Sequence, residues 1–180
     1  MKRILYTILT VFLILFTACG ESHRERAQGL VDAFDATYLE GNRSVKSVGK
    51  VRLDSARLDF IYLPQVKERM ERARRLAAEN KECLEALQQP VASEVAYQIL
   101  TKQLWETGNA VQKLQEQLLQ EERTYNPRIP GWMTMHRFRV IGKDGKMKFY
   151  QYVLYFDPAV TRISGMIDLN DSVPVFQPVK

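Results

Sequence analysis

Cysteine is scarce in this 180-residue chain: Cys19 and Cys83 are the only two, too few for a disulfide-stapled scaffold. Histidine is as rare, and neither His23 nor His136 has neighbours at metal-ligand spacing, so no metal is expected. Glutamate vanishes after Glu122, with none from Arg123 to Lys180. No apolar run reaches the roughly 20 residues that a spanning helix needs. Nucleophile-elbow, zinc-helix and phosphate-loop spacings are missing. Asp168 to Asp171, "DLND", gathers oxygens without a calcium loop's spacing. These absences leave no catalytic residue to name and no cofactor to expect. An enzyme is therefore disfavoured, although paired carboxylates of the glycosidase kind leave no local pattern.

What is present begins at the N-terminus. Lys2 and Arg3 precede an uncharged, mostly apolar run from Ile4 to Phe16, followed by Thr17, Ala18 and Cys19. That order of charge, grease and small residues is the order of an export signal, assigned here to residues 1–18. "FTAC" followed by Gly20 resembles the lipobox of bacterial lipoproteins, with Phe16 where leucine is usual. The resemblance covers the signal and four residues. It implies a diacylglycerol on the Cys19 thiol, cleavage before Cys19 and a mature chain that starts there, residues 19–22 forming the lipidated N-terminus. Two or more acyl chains anchor stably where one holds only marginally. The implied location is the bacterial cell envelope, lipid-anchored. Gly20 does not supply the aspartate associated with inner-membrane retention, which favours the outer membrane in a cell that has both.

The rest divides by composition. Gly20 to Glu122 carries 15 Lys and Arg against 17 Asp and Glu; Arg123 to Lys180 carries nine against four. The two regimes meet at 123–131, "RTYNPRIPG", a loop or hinge. A helical region is expected at 23–122 and a sheet region at 132–180, together forming one domain.

In the first region Ala27, Leu30, Val31, Phe34, Tyr38 and Leu39 lie on one helical stripe. Residues 43–63 are ambiguous: Val45, Val48, Val51 and Leu53 allow a short strand, while "DSARLDFIYL" reads as helix, the reading taken here. Val66, Met70, Ala73, Ala77, Asn80, Leu84 and Leu87 then recur at steps of four and three. So do Tyr97, Leu100, Leu104, Thr107, Val111, Leu114 and Leu118. Each series puts a narrow seam on one helix, and Pro90 breaks the chain between them, so an antiparallel helical hairpin is expected. Asn80 and Thr107 interrupt the seams and are candidates for fixing register. The interleaved charges of "KERMERARR" form intrahelical pairs rather than a nucleic-acid surface.

After residue 131 the period becomes two. "WMTMHRFRVI" and "KMKFYQYVLYF" flank "GKDG", a hairpin signal, and a third strand is expected at about Thr161 to Leu169. A turn centred on Asp144-Gly145 sets Val140 opposite Phe149 and Arg139 opposite Tyr150. One face then carries Trp132, His136, Phe138, Val140, Phe149, Val153 and Tyr155. The other carries Arg137, Arg139, Tyr150 and Tyr152 with Leu154 and Phe156, and these four basic and aromatic residues are the candidate ligand-binding set. His136 reads as a packing residue rather than a base.

The expected fold is α+β: helices including an antiparallel hairpin, then a three-stranded antiparallel β-meander. Its layout is similar to cystatin-like and NTF2-like curved sheets, an analogy of fold alone. The expected function is a non-catalytic binding role in the envelope. The membrane is met through the lipid anchor, and the partner is an envelope protein or glycan, not nucleic acid. The alternatives are a small envelope hydrolase with an unrecognised carboxylate site, which predicts a deep cleft with converging carboxylates or a carboxylate near His136, and an assembly factor that pairs through its helical hairpin.

Overall fold

The structure, a computed structural model, describes residues 22–91 and 93–179. The predicted signal at 1–18 and Cys19 lie outside the described residues. The elements run α1 (His23–Thr37), β1 (Asn42–Ser47), β2 (Asp54–Arg57), a 3-10 turn at Phe60–Tyr62, α2 (Pro64–Leu87), α3 (Glu94–Thr124), β3 (Arg128–Gly142), β4 (Met147–Phe156), β5 (Ile163–Asp168) and β6 (Phe176–Pro178).

The class is α+β, but the expected three-stranded meander is a six-stranded sheet. Its order is β1-β3-β4-β5-β6, with β2 also paired to β3. The extra strands come from two places. Residues 43–63, read as helix, supply β1, β2 and the 3-10 turn. Their local preference is weak, and the ladder offered by β3 decides: Val45 pairs with Val140, Lys46 with Arg139 and Ser47 with Phe138. At the far end β6 spans three residues, too few to show a period of two.

The described chain forms two compact units. One holds the residues up to Ala56, Pro130–Asn170 and those from Pro178 onward; the other holds Arg57–Ile129 and Asp171–Gln177. The first helix thus belongs with the sheet, and the passage from Ile129 to Pro130, one of the boundaries between the units, falls within the compositional break at 123–131.

In the sheet unit α1 begins with a capping box: the Ser22 hydroxyl accepts from Glu25 N, and the Glu25 carboxylate accepts from Ser22 N. Its stripe of Ala27, Leu30, Val31, Phe34 and Tyr38 packs on Phe138, Val140, Tyr152, Leu154 and Phe156. We call this covered side of the sheet its inner face. Gly131 has φ of +117°, and a Cβ there would meet the Phe156 carbonyl oxygen at 2.1 Å, so only glycine fits. The Asp157-Pro158 turn is over-determined. The Asp157 carboxylate accepts from Thr161 N, Thr161 Oγ1 and Arg162 N at 2.7–2.9 Å, which holds Val160 at φ +54° inside the core. Slight burial raises the Asp157 pKa, but the bonds from Arg162 and Thr161 outweigh it and leave the group below its ordinary value.

The β3–β4 register differs by one residue from that expected. Phe138 pairs with Tyr150, Arg139 with Phe149 and Val140 with Lys148. Gly145 N donates to Gly142 O (3.0 Å), Gly145 adopts φ +78°, and Gly142 N donates to Lys146 O (2.9 Å). The connection is therefore a three-residue loop, Lys143 to Gly145, with a left-handed glycine at its end, rather than a two-residue turn. A slip of one residue reverses which side of β4 faces the core.

In the second unit α2 and α3 run antiparallel. Arg69 makes a two-pronged contact with Glu121 (2.6 Å each), and farther along Asn80 Nδ2 donates to Leu104 O (2.7 Å) and Thr107 Oγ1 (2.9 Å). The two polar residues that interrupt the predicted seams thus bond to each other, and they align the helices. Cys83 is buried in this unit as a free thiol. Near the connecting loop the seam opens, with Leu84 and Tyr97 exposed.

Candidate functional sites

The register separates the four predicted ligand-binding residues. Tyr150 and Tyr152 lie on the inner face, in line with Phe138 and His136; Arg137 and Arg139 lie on the outer face, opposite Gln151 and Phe149. One surface of guanidinium and tyrosine side by side does not form. Two different arrangements replace it.

The first is a buried polar network on the inner face. His136 is 6% exposed, and its Nε2 lies 2.6 Å from Oδ1 of Asp35 on α1. The second oxygen of Asp35 accepts from Ser47 Oγ of β1 at 2.5 Å. Beside this pair the Tyr38 and Tyr152 hydroxyls are 2.5 Å apart, and Tyr152 donates to Asp168 Oδ2 of β5 at 2.9 Å. Phe34 lies between the two sets, edge-on to His136 (6.4 Å), Phe138 (6.2 Å) and Tyr152 (5.3 Å). Burial, with the hydrogen bonds to Tyr38 and Asp168, pushes the Tyr152 hydroxyl far above its ordinary value. Tyr38 is also raised, chiefly by burial.

Serine, histidine and aspartate meet here, but in the wrong order for nucleophilic catalysis. A hydrolytic serine gives its proton to an imidazole that a carboxylate orients. In this unit the carboxylate stands in the middle, and the Ser47 hydroxyl is committed to it. The arrangement ties α1, β1 and β3 together through one satisfied polar junction. His136 is among packing residues, as its place in the sequence pattern implies, whereas nothing in that pattern assigns Asp35 or Ser47 to the network, and Asp168 stands out only as part of "DLND". One signal was available: Asp35 lies four residues after Val31 on the apolar stripe of α1, where an acid needs a buried partner.

The second arrangement is the outer face of β1, β3 and β4. The register puts Lys46, Arg137 and Arg139 on this face and Lys148 on the other, and the three strands contain no acidic residue. Lys46 stands directly opposite Arg139, two like charges on neighbouring strands. Arg137 follows two residues along, its Nη2 3.6 Å from the Met135 sulfur. Apolar side chains are interleaved and bare: Phe149 is 68% exposed and Met135 57%.

In the helical unit a groove of about 450 Å³ is walled by Phe60, Val66, Met70, Leu118 and Leu119. On α3, Val95, Ile99 and Trp105 are exposed, Trp105 to 70%. Among the described residues no helix is long and apolar enough to cross a membrane, and no three acidic, cysteine or histidine side chains converge to hold a metal. Comparison with protein-family models, with curated proteins and with solved structures finds no match to this chain.

Proposed function

We propose that this chain is a lipid-anchored protein of the bacterial cell envelope with a binding role rather than a catalytic one, and that it holds an anionic envelope partner on the outer face of its sheet. The anchor rests on the order of Lys2, Arg3, the Ile4 to Phe16 run and the Thr17-Ala18-Cys19 junction. The covalent lipid sits on Cys19 and supplies contact with the membrane, the outer one where there are two.

The binding role rests on one observation above all: Lys46 opposite Arg139, with no acid on the three strands that form this face. Like charges directly opposed across a ladder destabilise it, by an amount in the range of about 0.2–1 kcal/mol that cross-strand pairs span. A sheet that carries such a pair, beside exposed Phe149 and Met135, is better suited to meeting an acidic surface than to standing alone in water. The test uses that tension. Lys46→Glu turns the pair into an attractive one, so the thermal midpoint rises by a few degrees, while in-cell crosslinking of the full chain to its partners falls severalfold. A variant that gains stability and keeps its crosslinked complexes removes this reading.

A second reading, pairing with another copy of the chain through α3, is favoured by exposed Val95, Ile99 and Trp105. The hydrolase reading has Asp35 beside His136 in its favour. Against it stand the burial of the pair and the bond of Ser47 to the carboxylate.

A further inference from the structure

We propose that the end of the sheet's inner face next to the β3–β4 loop is a binding site for a phosphomonoester, with Lys143 and Lys148 meeting the phosphate and the Tyr150 ring meeting the organic part. The site is a cavity of about 340 Å³ lined by Asn42, Val140, Lys143, Lys146, Lys148 and Tyr150, together with Gly142 and Asp144. That volume is at the small end of ligand pockets, about 300–1,000 Å³.

The one-residue register shift creates the site. It sets Lys148 opposite Val140, on the side of β4 that carries Tyr150, Tyr152 and Leu154. A lysine there extends the aromatic inner face with a cation at its open end. Three ammonium groups then border one cavity with a single carboxylate among them. Asp144 is already engaged: Oδ1 accepts from Lys146 N at 3.0 Å, and Oδ2 lies 3.8 Å from Lys146 Nζ. Lys143 and Lys148 have no ion pair among the described residues. Two uncompensated cations in one hollow repel each other, and a dianionic phosphoryl group relieves that repulsion while accepting from both.

The wall fits an ester better than free phosphate. Tyr150 stacks on Phe138 (5.2 Å, 14° between planes) and meets Tyr38 at 5.3 Å, so its ring is braced from behind. Its hydroxyl has no hydrogen-bond partner among the described residues and can donate to the ligand. A braced ring beside cations takes a sugar or other apolar-faced group by stacking.

This site is on the opposite side of the sheet from the partner surface proposed above, so the two stand or fall separately. The test is calorimetric titration of the full chain at low ionic strength with inorganic phosphate and with glucose 1-phosphate. Both bind saturably at low millimolar concentration or tighter, the ester more tightly. Lys143→Ala with Lys148→Ala weakens both by about tenfold, the equivalent of about 1.4 kcal/mol. Tyr150→Leu removes the preference for the ester, and Lys46→Glu on the outer face changes neither. No saturable binding up to 10 mM (roughly −2.7 kcal/mol) overturns the site, as does binding that the double lysine variant leaves unchanged. Equal affinity for ester and phosphate overturns the role of Tyr150.

Discussion

At the scale of single residues, the buried polar groups of the sheet unit carry more consequence than the exposed charges. Tyr152 donates to Asp168 and meets Tyr38 at 2.5 Å, both inside the aromatic packing of Phe34 and Phe138. Removing its hydroxyl with Tyr152→Phe leaves those two partners short of a bond, at a cost of about 1–3 kcal/mol near neutral pH. The pH dependence follows from the direction of the shift. Burial raises the pKa of Tyr152 in the folded chain above its unfolded value of about 10. Its contribution is complete below that value and falls as pH rises beyond it, because the unfolded chain loses the proton first. Urea midpoints at pH 7 and pH 10.5 check this: wild type loses more stability between the two than Tyr152→Phe does. An acid on an apolar stripe, as Asp35 is, marks a buried partner, but which partner, His136 at a separation of 101 residues, is a matter of tertiary pairing alone.

At the scale of elements, the helices were the legible part. Steps of three and four residues define α2 and α3 because the side chains of a helix repeat on one face at that interval, whatever lies opposite. Even the intruding Asn80 and Thr107 could be picked out, and they form one bond across the pair. The strands were less legible. A short segment such as β1 gains its form from the ladder it joins, and residues 43–63 carry a weak enough preference to suit either state. The hairpin turn shows how finely this is balanced: one residue more in the loop moved Tyr150 and Tyr152 away from Arg137 and Arg139. The α3 surface yields a prediction at this scale. If pairing through the helix is real, sedimentation of the full chain in detergent shows a dimer that Trp105→Ser with Ile99→Ser converts to a monomer. These are exposed positions, so helix content is retained. A wild-type chain that sediments as a monomer at all concentrations removes the pairing reading.

At the scale of the whole molecule, the proposed anchor constrains one unit directly. Cys19 precedes Ser22, the N-cap of α1, by three residues, which span at most about 10 Å. A lipid on Cys19 would hold the start of α1, and with it the sheet unit, close to the bilayer. Cys19→Ala abolishes labelling by a fatty-acid probe and releases the chain from washed membranes. Membrane association that survives without label means that Ile4 to Phe16 is retained as an anchor, and the lipobox reading falls. The sequence by itself determined the order of the N-terminal segment, the α+β class and the helical pair, because each depends on residues near one another in the chain. Only the tertiary structure decided the six-stranded sheet, the joining of Asp35, Ser47 and His136, and the sides on which arginines and tyrosines lie. Those features depend on strand register, and register is set by pairing between distant segments, where a shift of one residue exchanges the two faces.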